Sequence, residues 1–93
     1  MRRELVTLRG RVQGVGFREQ VLAIARGHAV SGTVRNITNG RAVEIDVEGD
    51  DAAVEAFLVA VVARPPSFAR VDHVERRRLA PRGVVGFERA PTG

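Results

Sequence analysis

The pattern of apolar and polar positions predicts the element order β-α-β-β-α-β. From Leu5 to Val12, apolar or small residues alternate with Thr and Arg, which is typical of a strand with one buried face. Residues 30–36 and 43–48 alternate in the same way. Residues 17–28 and 54–62 place apolar side chains three and four positions apart, as amphipathic helices do. A fourth strand is predicted over residues 69–77.

Turn and cap signals mark the boundaries between these elements. Asn39 and Gly40 both tolerate positive φ and predict a tight hairpin. Asp50 and Asp51 are good N-cap candidates for the second helix. A short fifth strand is expected over residues 84–88, with its phenylalanine pointing inward, and the three residues after position 90 are expected to fray.

This order predicts an α+β fold of the ferredoxin-like split β-α-β type, a single domain over residues 1–93. Two helices cover one face of a sheet dominated by antiparallel pairs. A right-handed crossover makes the first two strands parallel, and the hairpin inserts the third strand between them. The carboxyl ends of the first two strands then share one edge of the sheet. The glycine-rich turn after Val12 and the side chain of Asn36 are therefore expected at the same edge.

Composition narrows the function classes. The 93 residues carry a formal net charge of +4, and all fifteen cationic side chains are arginine. This balance favours an anionic ligand, either a small phosphate or a nucleic acid. Nucleic acid is the weaker alternative, because there is no Trp or Tyr and most of the four Phe occupy predicted core positions. No cysteine is present for a disulfide or a thiolate metal site, and no apolar run approaches a bilayer span. A cytoplasmic, monomeric protein without a membrane partner is expected.

The stretch from Gly10 to Arg18 is the most informative segment. Three glycines fall within seven residues at the junction of a strand and a helix. Glycines allow backbone N–H groups to approach an anion, and a helix start adds unpaired N–H groups. Arg18 could add a bidentate fork for two phosphate oxygens. Residue types alone do not separate a phosphate cradle from an ordinary strand-to-helix loop.

These groups include no general base. Asn36 cannot take a proton at neutral pH, but its carbonyl oxygen can orient a water molecule. Such a site suits a phosphoryl group that already carries a good leaving group, such as a carboxylate. No metal-ligand set is evident. The alternating carboxylates Glu44, Asp46 and Glu48 are expected on a solvent-facing or helix-capped strand face rather than at a cation site.

The sequence resembles the acylphosphatase family in two blocks. Residues 10–18 match every fixed position of the signature Gly-x-Val-Gln-Gly-Val-x-Phe-Arg, and residues 32–40 match Gly-x-Val-x-Asn-x-x-x-Gly. The resemblance implies a ferredoxin-like fold and hydrolysis of acyl phosphates to a carboxylate and inorganic phosphate, with no metal or other cofactor. By position, Arg18 would bind phosphate and Asn36 would orient water. The backbone of the loop would cradle the phosphate oxygens at Gln13, Gly14, Val15, Gly16 and Phe17.

The chain departs from the commonest form of this family. The run from Gly40 to Gly49 is one residue longer, which places a bulge or a wider hairpin loop before Val43. Residues 64–75 are more similar to the acylphosphatase-like N-terminal domain of the hydrogenase-maturation carbamoyltransferases. A non-catalytic module that binds phosphate or carbamoyl phosphate is therefore the alternative function. Residues 87–90 make a poor last strand.

Overall fold

The computed structural model describes residues 1–37 and 41–93. Its two helices are α1 (Phe17–Ala25) and α2 (Asp51–Ala63). Its strands are β1 (Arg2–Arg11), β2 (Val30–Asn36), β3 (Ala42–Gly49), β4 (Arg70–Leu79) and β5 (Phe87–Arg89). The predicted hairpin at Asn39-Gly40 lies outside the described residues.

The five strands form one sheet in the order β4-β1-β3-β2-β5. Strand β3 pairs antiparallel with both β1 and β2, so β1 and β2 run parallel on either side of it. This arrangement confirms the ferredoxin-like α+β prediction and the insertion of the third strand. The β1–β3 register is continuous from Ala42 to Gly49, in agreement with an extra residue placed before Val43. Strand β5 is shorter than predicted and pairs parallel with β2.

The core lies between the sheet and its two helices. Fifteen buried side chains from β1, β2, β3, both helices and the residue after β1 form one apolar cluster, with Phe17 and Phe57 its largest members. Phe87 is half-buried against this cluster and its ring lies 5.4 Å from that of Phe57. Phe68 is instead 79% exposed, and Val62, which the helical spacing placed on the apolar stripe, is 45% exposed. The second helix is therefore buried over fewer positions than its pattern predicts.

The three alternating carboxylates of β3 accept hydrogen bonds from arginine side chains and from backbone N–H groups. Glu44 accepts a hydrogen bond from Arg35, and Asp46 accepts two from Arg3. Glu48 is 2% exposed and accepts hydrogen bonds from backbone N–H groups of the segment that joins β4 to β5. This face is therefore covered by arginines and a crossing segment, rather than by solvent or a helix. Among the described residues no group of three or more acidic, His or Cys side chains could hold a metal ion.

The last residues follow β2 instead of fraying. The backbone N–H of Ala90 donates to the carbonyl of Val34, and that of Gly93 donates to the carbonyl of Asn36 at 3.0 Å. The short β5 is thus extended by two further hydrogen bonds toward the end of β2. These bonds form because residues beyond β5 remain alongside an otherwise unpaired edge. In the part of the chain that the structure describes, no helix is long and apolar enough to span a membrane.

Strand β4 and helix α2 are joined by ion pairs. Three consecutive arginines occupy residues 76–78 of β4, and the first of them, Arg76, donates to Glu4 and to Glu55. Glu4 is 5% exposed and lies on the helix-facing side of β1. Because Glu4 is buried, the guanidinium of Arg76 turns toward it to form the ion pair. The sequence pattern of β4 does not predict this contact.

Candidate active site

The loop between β1 and α1 holds two glycines in left-handed backbone conformation. Gly14 has φ of 73° and Gly16 has φ of 79°. When left-handed and right-handed backbone conformations alternate along a loop, several backbone N–H groups turn toward one side and create a concavity suited to an anion. Gly16 is the N-cap of α1 and supplies no side-chain cap, so the first turn keeps its N–H groups open to a ligand.

Arg18 is the second residue of α1, and its side chain is half-buried. Within the described part of the chain it makes no ion pair or side-chain hydrogen bond. Five other arginines share this lack of a partner, and all five are exposed: Arg11, Arg26, Arg64, Arg77 and Arg78. Arg18 is therefore a partly desolvated cation whose guanidinium donors are available to a ligand.

Asn36 is the last residue of β2. It shares its face of the strand with the buried Val34, and it pairs with Val43, which pairs on its other side with Leu8 of β1. Asn36 Oδ1 is buried and accepts no hydrogen bond from any described residue. A buried carbonyl oxygen without a donor is uncommon, and it is ready to accept a hydrogen bond from a ligand or water.

The structure brings the two sequence blocks together, as the topology predicted. The side-chain amide of Gln13 donates to the carbonyl of Ile37 at 2.9 Å and to the carbonyl of Ala42 at 2.8 Å. It thereby ties the glycine loop to both sides of the β2–β3 connection, next to Asn36. Arg18 and Asn36 make no direct hydrogen bond. Sequence reasoning assigned only the backbone of Gln13 to the site, since the partners of its side chain are carbonyls that no sequence pattern marks.

The surroundings of the loop are cationic. A depression beside it is lined by Gly10, Arg11, Val12, Gln13 and Arg41, with no acidic side chain among them. The acidic groups whose pKa is lowered by hydrogen bonds lie toward the carboxyl end of β3, away from the loop. Arg76 lowers the pKa of Glu4, Arg3 lowers the pKa of Asp46, and backbone N–H groups of the crossing segment lower the pKa of Glu48. The lining of the depression therefore favours an anion, and the two acidic side chains near the loop, Glu19 and Asp72, are each paired with an arginine.

Comparison with known proteins identifies the family to which the chain is similar. The family model described as Acylphosphatase matches residues 5–89. An acylphosphatase from Synechococcus sp. (strain JA-2-3B'a(2-13)) is 46% identical over 94% of this chain and 90% of its own length. The crystal structure of acylphosphatase from Bacillus subtilis superposes with a TM-score of 0.90 at 33% identity, and it covers 97% of this chain and 99% of that one.

The predicted similarity to a carbamoyltransferase domain is also confirmed. Carbamoyltransferase HypF from Rhizobium leguminosarum bv. viciae is 41% identical over 95% of this chain, which corresponds to 11% of that much longer protein. The similarity covers both sequence blocks. Because the family model covers nearly the whole chain and full-length relatives match at more than 40% identity, the chain belongs to the acylphosphatase family and is an acylphosphatase enzyme.

Proposed function

We propose that this acylphosphatase hydrolyses acyl phosphates to a carboxylate and inorganic phosphate, without a metal ion, at the edge formed by the glycine loop and the end of β2. Arg18 and the backbone N–H groups of residues 13–17 bind the phosphate, and Asn36 orients the water. One observation carries the proposal: Asn36 Oδ1 is a buried acceptor that receives no hydrogen bond from any described residue, and it lies beside a loop that leads into a helix start without a side-chain cap.

Phosphate binding follows from the donor set. Gln13, Gly14, Val15, Gly16 and Phe17 present backbone N–H groups around the left-handed glycines. Arg18 adds two parallel N–H donors, which match a pair of phosphate oxygens better than a point charge does. N–H groups and a guanidinium attract an anion and repel a metal cation, so the same set gives a physical reason for a reaction that needs no metal.

The chemical step needs little from the protein. A water oxygen attacks phosphorus, and the bond from phosphorus to the acyl oxygen breaks. The carboxylate leaves with the bonding electron pair, and the water protons pass to phosphate oxygens or to solvent. Asn36 Oδ1 accepts a hydrogen bond from the water and aligns it, while Arg18 and the loop stabilise the charge on the equatorial oxygens. A carboxylate departs without protonation, which removes the need for a general acid.

Arg18 is tested first, by hydrolysis of benzoyl phosphate in buffer containing EDTA. Arg18→Ala is expected to lower kcat/KM by about 100-fold or more and to weaken inhibition by inorganic phosphate. Arg18→Lys should recover little, because an ammonium group does not reproduce the guanidinium fork. Arg26→Ala is the matched control: Arg26 caps the other end of α1, is exposed and also lacks a partner among the described residues. Turnover that survives in Arg18→Ala would remove the proposed site.

Asn36 is tested by separating turnover from affinity. Asn36→Ala removes an acceptor for water and leaves the phosphate donors in place. The kcat is therefore expected to fall about 100-fold, while the inhibition constant of inorganic phosphate changes by less than about threefold. Tight phosphate binding by the wild-type protein with no turnover of any acyl phosphate would contradict the proposed reaction.

A further inference from the structure

The side chain of Gln13 connects the two halves of the site. Its amide nitrogen lies 2.9 Å from the carbonyl oxygen of Ile37 and 2.8 Å from that of Ala42. Both partners are acceptors only, so the NH₂ group must face them, and each of its two hydrogens has one carbonyl. The residue is half-buried, and these two bonds fix the orientation of its amide.

The two carbonyls lie on the segments that flank Asn36. Ile37 follows Asn36 in the chain, and Ala42 precedes Val43, which pairs with Asn36 across the sheet. The backbone N–H of Ile37 also donates to Ala42 O, at 3.1 Å, so Gln13 closes a three-membered hydrogen-bond cluster at the base of the β2–β3 connection. The backbone of Asn36 is held from its other side, where its carbonyl accepts the N–H of Gly93.

We propose that the side chain of Gln13 is a positioning residue for the reaction: it sets the distance between the phosphate held by the glycine loop and the water held by Asn36. This inference rests on the proposed role of Asn36. The reasoning is geometric, because an in-line displacement is sensitive to misplacement of the nucleophile by about 1 Å. The side chain of Gln13 hydrogen-bonds from the loop to the β2–β3 connection, so its loss removes two bonds that fix one half of the site relative to the other.

The chain supplies a matched control for this role. Gln20, in α1, is also a half-buried glutamine whose amide donates to a backbone carbonyl, that of Arg64 at 3.1 Å. It lies beyond the phosphate loop and links α1 to the end of α2. Replacement by methionine keeps a similar side-chain volume and removes the donors in both cases.

The first experiment compares Gln13→Met with Gln20→Met in benzoyl phosphate hydrolysis. Gln13→Met is expected to lower kcat about 10-fold or more and to change the inhibition constant of inorganic phosphate by less than about threefold. Gln20→Met should leave both values within about twofold. Equal kcat values in the two variants, or an effect of Gln13→Met on phosphate affinity alone, would overturn the positioning role.

The second experiment is a double-mutant cycle with Asn36→Ala. If Gln13 acts by placing Asn36, adding Gln13→Met to Asn36→Ala lowers kcat by less than about twofold further, because the group it positions is gone. Multiplicative effects would show that Gln13 acts independently of Asn36, and the inference would fail while the proposed function stood. An unchanged kcat in Asn36→Ala alone would instead refute the proposed function, and the inference with it.

A third variant covers the case in which Gln13→Met does not fold. Gln13→Glu keeps the shape but turns an ionised oxygen toward two carbonyls, and the introduced carboxyl can donate to one of them only when it is protonated. Its kcat relative to wild type is therefore expected to rise several-fold as the pH falls from about 7 to 5. A ratio that stays constant over this range would contradict the role of the amide donors. Far-UV circular dichroism at each pH checks that the variant remains folded.

Discussion

Removal of the charge on Glu4 tests the buried ion pairs that hold β4 and α2 to β1. Glu4 is 5% exposed, and its carboxylate accepts two hydrogen bonds of 2.8 Å from Arg76 and one of 3.4 Å from Arg2. Glu4→Gln keeps one acceptor oxygen and turns an NH₂ group toward a guanidinium. Arg76 retains Glu55 as a partner, at 2.8 Å. The perturbation thus removes the central charge of the cluster without opening a cavity.

The magnitude follows from these contacts. Breaking a buried pair costs about 3–5 kcal/mol when the remaining charge is fully buried. The side chain of Arg76 is 37% exposed and keeps Glu55, so the lower value of about 2–3 kcal/mol is expected for Glu4→Gln. For a domain of this size that loss corresponds to a Tm lower by roughly 10–20 °C. Far-UV circular dichroism is the suitable measurement, because the chain has no Trp or Tyr for fluorescence.

Glu75→Gln is the control, since Glu75 pairs with Arg9 between side chains that are 54% and 45% exposed. Such a surface pair contributes about 0–1 kcal/mol. Equal losses of stability in Glu4→Gln and Glu75→Gln would refute the assignment of a buried pair.

The pH dependence gives an independent check. Hydrogen bonds from Arg76 lower the pKa of Glu4 in the folded protein below its ordinary value of 4.5. The stabilisation by Glu4 is therefore complete above about pH 5 and is lost as the pH falls through the lowered pKa of the folded state. The difference in unfolding free energy between wild type and Glu4→Gln should shrink below pH 4.5. A difference that grows on acidification would contradict this sign.

Two further pairs of variants test the loop and the core. Gly16→Ala forces a Cβ onto a residue with φ of 79°. The variant is expected to lower the free energy of unfolding by about 1–2 kcal/mol and to weaken inhibition by phosphate. Gly83→Ala, at φ of 74° but away from the loop, should leave phosphate inhibition unchanged. Equal phosphate affinity in both variants would argue against a cradle at Gly16. Phe57→Ala empties a fully buried position and should cost about 3–5 kcal/mol in thermal or urea unfolding, whereas Phe68→Ala, at a position that is 79% exposed, should cost less than about 0.5 kcal/mol.

The fold could be predicted because its signals are local. The alternation from Val30 to Asn36 corresponds to β2 over the same residues, since a strand with one buried face leaves a period of two in the sequence. The order of elements then determined which strands are parallel through the handedness of the crossover. Strand β5 begins about three residues later than predicted, because the segment reaches β2 only at Gly86, whose carbonyl accepts the N–H of Gly32, and pairing continues from Phe87.

The partners of the charged residues could not be predicted in the same way. Glu48 was expected to face solvent or a helix, yet it lies under the segment that leads to β5 and accepts hydrogen bonds from the backbone N–H groups of Arg82 and Gly83. Arg76 belongs to a run of three arginines, yet it alone of the three pairs with acidic groups in the described residues. Each partner is at least twenty residues away, and its direction depends on the packing of other elements.

The site likewise has one part that the sequence predicts and another that it does not. The glycines that allow positive φ, and the strand order that brings Asn36 to the same sheet edge as the glycine loop, follow from the sequence, since they depend on local chemistry and topology. Two features come from the folded structure alone: Asn36 Oδ1 is buried and receives no hydrogen bond from a described residue, and the amide of Gln13 reaches two carbonyls across the β2–β3 connection. Burial and hydrogen bonding are properties of assembled surfaces. They arise when distant segments meet, and no pattern along one segment contains them.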